Sequence, residues 1–328
     1  MAQRRYEVDT SRCNVSIKAK KEEYSAMRGC CACGGGFRRS PVPSSVPTRF
    51  LYAQPSESIS IEPAIASSTM PNYNYSLHFD ALSKFYHSTN GDSWYDNLSW
   101  LDSSVDICDW AGMECDNYGF FIMDMGFNNM SGTIDSSIGL LTNLKVMYIY
   151  GNSIGSSIPS EIGMLNNLAV LHLAQNSFTF SIPTEIARCS SLRVFSSSTS
   201  TMGNMITGQI PSEIGMLQSL SRFDSVGARL SGTIPSEIGM NERLRYLWLA
   251  FNSFSGSIPS EIGNLKDLKG LSVQGNNISG TMPEEVCALT NSKNGALFYP
   301  DADCGEYGGS VSCGCCLCYC ATEGSCNM

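Results

Sequence analysis

Charge is scarce in this sequence. Asp, Glu, Lys and Arg together make up 16% of the 328 residues. Histidine is scarcer still: His78, His87 and His172 are the whole complement, too few to suggest a His-based metal or acid–base centre. No apolar run approaches the roughly 20 residues of a transmembrane helix. The first thirty residues also lack the apolar core of roughly 7–15 residues that marks an export signal. Basic residues are sparse beyond the start. Residues 1–50 hold ten Lys/Arg against four Asp/Glu, or +6, so a net charge of −9 leaves −15 for the remainder. Phosphate backbones need a positive footprint, so that balance argues against a nucleic-acid partner. The Gly34–Gly36 run is not followed by a strand–helix pattern and is no phosphate loop, so no cofactor is implied.

What is present is a repeat. Ser255–Gly263 (SGSIPSEIG) recurs almost letter for letter as Ser231–Gly239 (SGTIPSEIG). Weaker copies surround Pro159, Pro183, Pro211 and Pro283, at steps of 24, 28, 24, 24 and 24 residues. A fixed period in this range means a solenoid of stacked units. The longer step carries four extra Ser/Thr residues within Ser196–Thr201, which are expected to distort that repeat's strand. An Asn recurs at Asn128, Asn152, Asn176, Asn204, Asn252 and Asn276, with Ala228 in the one exceptional copy.

The physical role of each position follows. Leu247 and Leu249 alternate with Trp248, so the segment is a short strand with one face inward. Asn252 is expected to turn inward and satisfy backbone groups of neighbouring coils. Pro259 fixes φ and lacks a donor, which suits a turning segment. Glu261–Leu265 is expected to form a short helical turn. One such coil cannot bury its apolar face alone, but about seven stacked coils can.

The flanks differ. Residues 1–70, basic and then rich in Ser and Pro, show no periodicity and are expected to be disordered. Their Cys30, Cys31 and Cys33 sit among basic residues, which raises lipidation beside a mis-assigned chain start. Residues 71–118 read as a cap: Leu77, Ala81, Leu82, Phe85 and Tyr86 share a helical face ended by Asn90-Gly91, followed by Trp94, Trp100 and Cys108–Cys115. Repeats occupy 119–289. Residues 290–328 form a Cys-rich end, with Cys287 and Cys304 as an expected closing pair. Fifteen cysteines clustered at the two ends of the array indicate disulfide-bonded caps in an oxidising compartment. The six cysteines of the tail allow 15 pairings, and a thiolate metal site is the alternative for them. Cys189 replaces Leu165 and Leu217 and reads as a core residue.

Leu244–Gly263, read Leu-x-x-Leu-x-Leu-x-x-Asn-x-Phe-Ser-Gly-Ser-Ile-Pro-Ser-Glu-Ile-Gly, resembles the plant-type leucine-rich repeat. Asp80-x-Leu82, Trp100 and Cys108-x-Trp110-x-Gly112-x-x-Cys115 resemble that family's N-terminal cap. The resemblance covers about residues 77–304. It implies an α/β solenoid: a right-handed superhelix with a concave parallel β-sheet, about seven repeats, and cysteine-containing N- and C-terminal caps. It also implies a non-enzymatic module at the cell surface or outside the cell, binding a protein, peptide or glycan on its concave face, with a co-receptor possible. A secreted inhibitor of a wall-degrading hydrolase and a structural or adhesive wall component are the alternatives.

Alternation places Asp124, Val146, Tyr148, Tyr150, Val170, His172, Arg222, Asp224, Tyr246 and Trp248 outward. Of these, Tyr148, Tyr150, His172, Arg222, Asp224, Tyr246 and Trp248 are the candidate partner-binding residues, with the aromatics forming one stripe. Exposed aromatics with flanking Arg are common interface anchors. The recurring Glu161, Glu185, Glu213, Glu237, Glu261 and Glu285 form a single file rather than the facing pair a glycosidase needs. No metal site is expected. Asn74, Asn97, Asn129 and Asn277 are candidate glycosylation sites if the protein is exported.

Overall fold

A computed structural model describes residues 75–116, 118–199, 204–291, 297, 299–303, 311–312 and 317–319, all within the second of two units, 52–328. The 1–70 segment, Asn74, Cys304 and most of the tail cysteines lie outside these residues.

Helix α1 (Tyr75–Ser88) opens the cap and buries His78, Ala81, Leu82, Phe85 and Tyr86. His78, not Leu77, completes the inward face: Leu77 is 38% exposed, and the His78 ring meets Phe121 of the first coil edge-on at 5.6 Å. Asn90 follows the helix in the left-handed region and turns the chain. Trp94, Trp100 and Trp110 then pack on one another and on Phe85 and Tyr86, with ring centroids 4.8–6.4 Å apart. Buried indoles need a partner for their N–H. Trp94 donates to Thr89 O at 2.9 Å and Trp100 to Ala111 O at 2.8 Å. A Cys108–Cys115 disulfide closes this layer over the end of the stack.

The main sheet has ten strands. β1 (Met113–Cys115) belongs to the cap and pairs antiparallel with β2 (Phe121–Asp124). Parallel strands follow, one per coil: β3 (Leu144–Tyr148), β4 (Val170–His172), β5 (Val194–Ser196), β6 (Arg222–Asp224), β7 (Tyr246–Trp248) and β8 (Gly270–Ser272). The sheet then continues past Leu289, where the sequence period fades. β9 (Tyr299–Asp303) pairs parallel with β8, and β10 (Leu317–Tyr319) with β9. Helix α2 (Glu284–Asn291) replaces the short turn of the last clear repeat.

Among the described residues five coils return through a 3-10 turn that starts after a proline, as at Ser260–Asn264, where Pro259 has φ −64°; in the first coil Asp135 holds that place. The turn glycine, replaced by Ala187 in one coil, faces the next coil. A Cβ on Gly239 would lie 2.3 Å from Glu261 O, and one on Gly163 would lie 2.3 Å from Glu185 O. At these two positions close approach therefore selects glycine.

The Asn column bonds as its position demands. Asn176 Nδ2 donates to Ile149 O at 2.8 Å and Leu173 O at 3.1 Å, while its Oδ1 accepts from Ile154 N at 3.1 Å. Asn252 does the same with Ser225 O, Leu249 O and Leu230 N. One side chain thus satisfies buried backbone groups of two coils.

The four-residue insertion does not distort its strand. β5 stays in register with both neighbours, Val170↔Val194↔Arg222 and His172↔Ser196↔Asp224. In the sequence the extra residues fall between Thr199 and Asn204, after the strand.

Candidate ligand-binding surface

Register places the outward residues of successive strands in files across the concave face. One file reads Ile122, Val146, Val170, Val194, Arg222, Tyr246, Gly270. The adjoining file reads Asp124, Tyr148, His172, Ser196, Asp224, Trp248, Ser272. The surface therefore falls into two aromatic groups with a polar gap, not one stripe.

The first group holds Tyr148, Tyr150 and His172. Their centroids lie 6.3 Å (Tyr148–Tyr150), 6.0 Å (Tyr148–His172) and 4.8 Å (Tyr150–His172) apart. Phe127 joins at 5.2 Å from Tyr150, and at 61% exposure it is the group's most open ring. Beside them Val146 and Val170, with half-buried Ile122 and Val194, form an apolar file. Outward does not mean open here. Val146 is 1%, Val170 4% and His172 8% exposed, because side chains on strands about 4.8 Å apart cover one another.

That crowding sets the electrostatics. Burial, with Arg222 adding repulsion, lowers the His172 pKa to about 4. Burial also raises the Tyr148 and Tyr150 hydroxyls, with Asp124 contributing.

The second group holds Arg222, Tyr246 and Trp248. The two rings stack at 5.8 Å and 29°, and the Arg222 guanidinium lies over Tyr246 at 4.9 Å. Trp248 extends over Gly270 of the next strand, where a Cβ would come within 2.2 Å of the indole. Between the groups, Ser198 Oγ donates to the Asp224 carboxylate and accepts from Val226 N at 3.1 Å. Enclosure raises the Asp224 pKa, against the lowering effect of Ser198 and Arg222.

The sequence reading missed Phe127, Ile122, Val194, Ser198 and Gly270. Ile122 and Val194 continue the 24-residue step through Val146 and Val170, which is the signal that finds them. Gly270 carries no such signal, since its role depends on where Trp248 lies.

The remaining candidates are dispersed. Cys287 is disulfide-bonded. Asn97 donates to Tyr86 Oη at 3.2 Å and Gly91 O at 3.1 Å, and Asn129 donates to Ser93 O at 2.8 Å. Asn277 is exposed on an outer strand. Cys189 is a buried free thiol whose pKa burial raises to about 12. Among the described residues no helix is long and apolar enough to cross a membrane.

The comparisons with known proteins agree with this architecture. Residues 143–165 and 243–265 match the Leucine Rich Repeat family model. A solved TDR receptor structure is 31% identical, with TM-score 0.52, over 58% of this chain and 31% of that one. The plant peptide hormone receptor RGFR1 in complex with RGF2 is 32% identical, with TM-score 0.51, over 58% of this chain and 28% of that one. The Arabidopsis receptor kinase HAESA in complex with the peptide hormone IDA and the co-receptor SERK1 shares the fold at 20% identity and TM-score 0.52, over 74% of this chain and 46% of that one. The chain spans about a third of the length of the first two. The chain carries leucine-rich repeats and shares the solenoid fold of these receptors.

Proposed function

We propose that this chain is a non-enzymatic recognition module, acting outside the cell, that binds an extended peptide on its concave face. The observation that carries this reading is the pair of aromatic groups held in strand register. The Tyr148–Tyr150–His172 group and the Arg222–Tyr246–Trp248 group are separated by the polar Ser196, Ser198 and Asp224. Two rigid ring platforms with a hydrogen-bonding stretch between them suit side-chain anchors at two points of one extended chain. RGFR1, whose solved complex is with RGF2, supports the peptide class.

Panning a peptide display library against the intact chain tests this. Binders are expected whose affinity falls roughly tenfold or more when Tyr148→Ala and Trp248→Ala are combined. Unchanged affinity in a double variant with unchanged circular dichroism overturns the surface. Recovery of a folded hydrolase that the chain inhibits, with no peptide binder, would favour the inhibitor reading instead.

A further inference from the structure

We propose that the edge of the sheet at the N-terminal ends of β5–β8 binds an anionic polysaccharide, at a site that adjoins the peptide surface and shares Arg222, Tyr246 and Trp248 with it. Backbone bonds place Lys145, Ala169, Arg193, Ser221, Arg245 and Lys269 in one file. Ala169 N donates to Lys145 O (2.7 Å), Arg193 N to Ala169 O (2.8 Å), Ser221 N to Arg193 O (2.8 Å), Arg245 N to Ser221 O (2.8 Å) and Lys269 N to Arg245 O (2.7 Å). Residues 24 or 28 apart in sequence thus become neighbours at about 4.8 Å. Three of the last four members are cationic. Arg222 adjoins them, held over Tyr246, and Arg243 and Lys266 lie just before the strands.

Five of the ten Lys/Arg residues between Tyr75 and Asn291 lie along this edge, against Glu242 and Asp267 of opposite sign, while Lys266 donates to Gly263 O in the preceding turn at 2.6 Å. Arg193, Arg222 and Lys269 enter no ion pair among the described residues. In a chain of net charge −9, such segregation is a positive ridge on a negative body.

The geometry selects the ligand. A file of cations along the stacking axis, about 14 Å from Arg193 to Lys269 at the usual strand spacing, fits a linear polymer bearing regularly spaced anions. Arginine forks match carboxylate and sulfate groups bidentately. Beside the file, the half-buried faces of Tyr246 and Trp248 offer flat apolar platforms for sugar-ring C–H faces. A nucleic acid would require a broader positive footprint than this narrow ridge.

The experiment measures binding of the full chain to alginate, heparin, neutral dextran and single-stranded DNA at low and high salt. Binding to alginate or heparin but not to dextran, weakened at least tenfold by high salt, is expected. The two acidic probes separate carboxylate from sulfate recognition. The triple variant Arg193→Glu, Arg245→Glu, Lys269→Glu should lose this binding while Lys84→Glu keeps it. If the triple variant misfolds, Arg193→Gln with Lys269→Gln replaces it, with a loss of roughly tenfold expected. Absence of binding to both acidic polysaccharides, equal binding by a folded ridge variant, or DNA binding as tight as theirs would overturn the site. Peptide binding at Tyr148 is read out separately, so failure of one proposal is distinguishable from failure of the other.

Discussion

His172 shows how a single side chain can couple this surface to pH. Its pKa is lowered from 6.5 to about 4, first by burial under Tyr148 and Tyr150 and then by Arg222. The neutral ring is therefore the form the fold favours. That contribution is complete above pH 6.5 and is lost as pH falls towards 4. Thermal melts across this window should show the native chain losing about 3 kcal/mol that a His172→Gln variant does not lose. Parallel pH profiles for the two proteins would remove His172 from this role. Asp224 has the opposite sign: its raised pKa favours the protonated acid, so its contribution diminishes as pH rises from 3.8 through the raised value.

At the scale of the element, the coil is held by two positions that recognise the next coil. The Asn amide supplies hydrogen bonds that the strand-to-turn corner cannot make for itself, and the turn glycine permits close approach. Gly239→Ala would push a Cβ into Glu261 O at 2.3 Å, a backbone atom that cannot rotate away. The expected cost is about 1–3 kcal/mol. It should be seen as a lower denaturation midpoint at unchanged m-value. No midpoint shift would mean that the coils separate freely. Ala187 occupies the equivalent position naturally, in the turn before the lengthened coil.

Across the whole stack, the exceptions to the repeat gather at one level. Ser197 and Ser225 replace the Leu of Leu173 and Leu249. Both are fully buried, and their Oγ atoms hydrogen-bond at 2.8 Å. Ala228 replaces the ladder Asn, the insertion follows β5, and the outer strands divide into a Ser131–Phe178 group and a Ser231–Ile278 group. The aromatic groups of the concave face part at this same level. Stability in a solenoid is nearly a sum of coil and neighbour terms, so the weakest interface opens first. Amides around Ser197 and Ser225 should exchange faster than those of Met147–Ile149 in hydrogen-exchange mass spectrometry. Ser197→Leu with Ser225→Leu should raise the opening free energy there by about 2 kcal/mol. Uniform exchange along the stack would remove the seam.

The sequence alone determined the solenoid, the inward and outward alternation of each strand, the Asn column and the single file of Glu residues. These are local consequences of a fixed period: a strand repeats every two residues, and a coil every 24, whatever its neighbours are. The tertiary structure decided what depends on neighbouring coils. It covered Val146, Val170 and His172 with side chains from adjacent strands. It divided the aromatics where Ser196 and Asp224 intervene, and laid Trp248 over Gly270. It carried the sheet past Leu289 into β9 and β10, where backbone pairing persists without the leucine pattern. It also brought Arg193, Arg245 and Lys269 into one ridge. Such outcomes follow from which side chains meet across a strand spacing of about 4.8 Å, a distance that separates residues 24 or more positions apart in the chain.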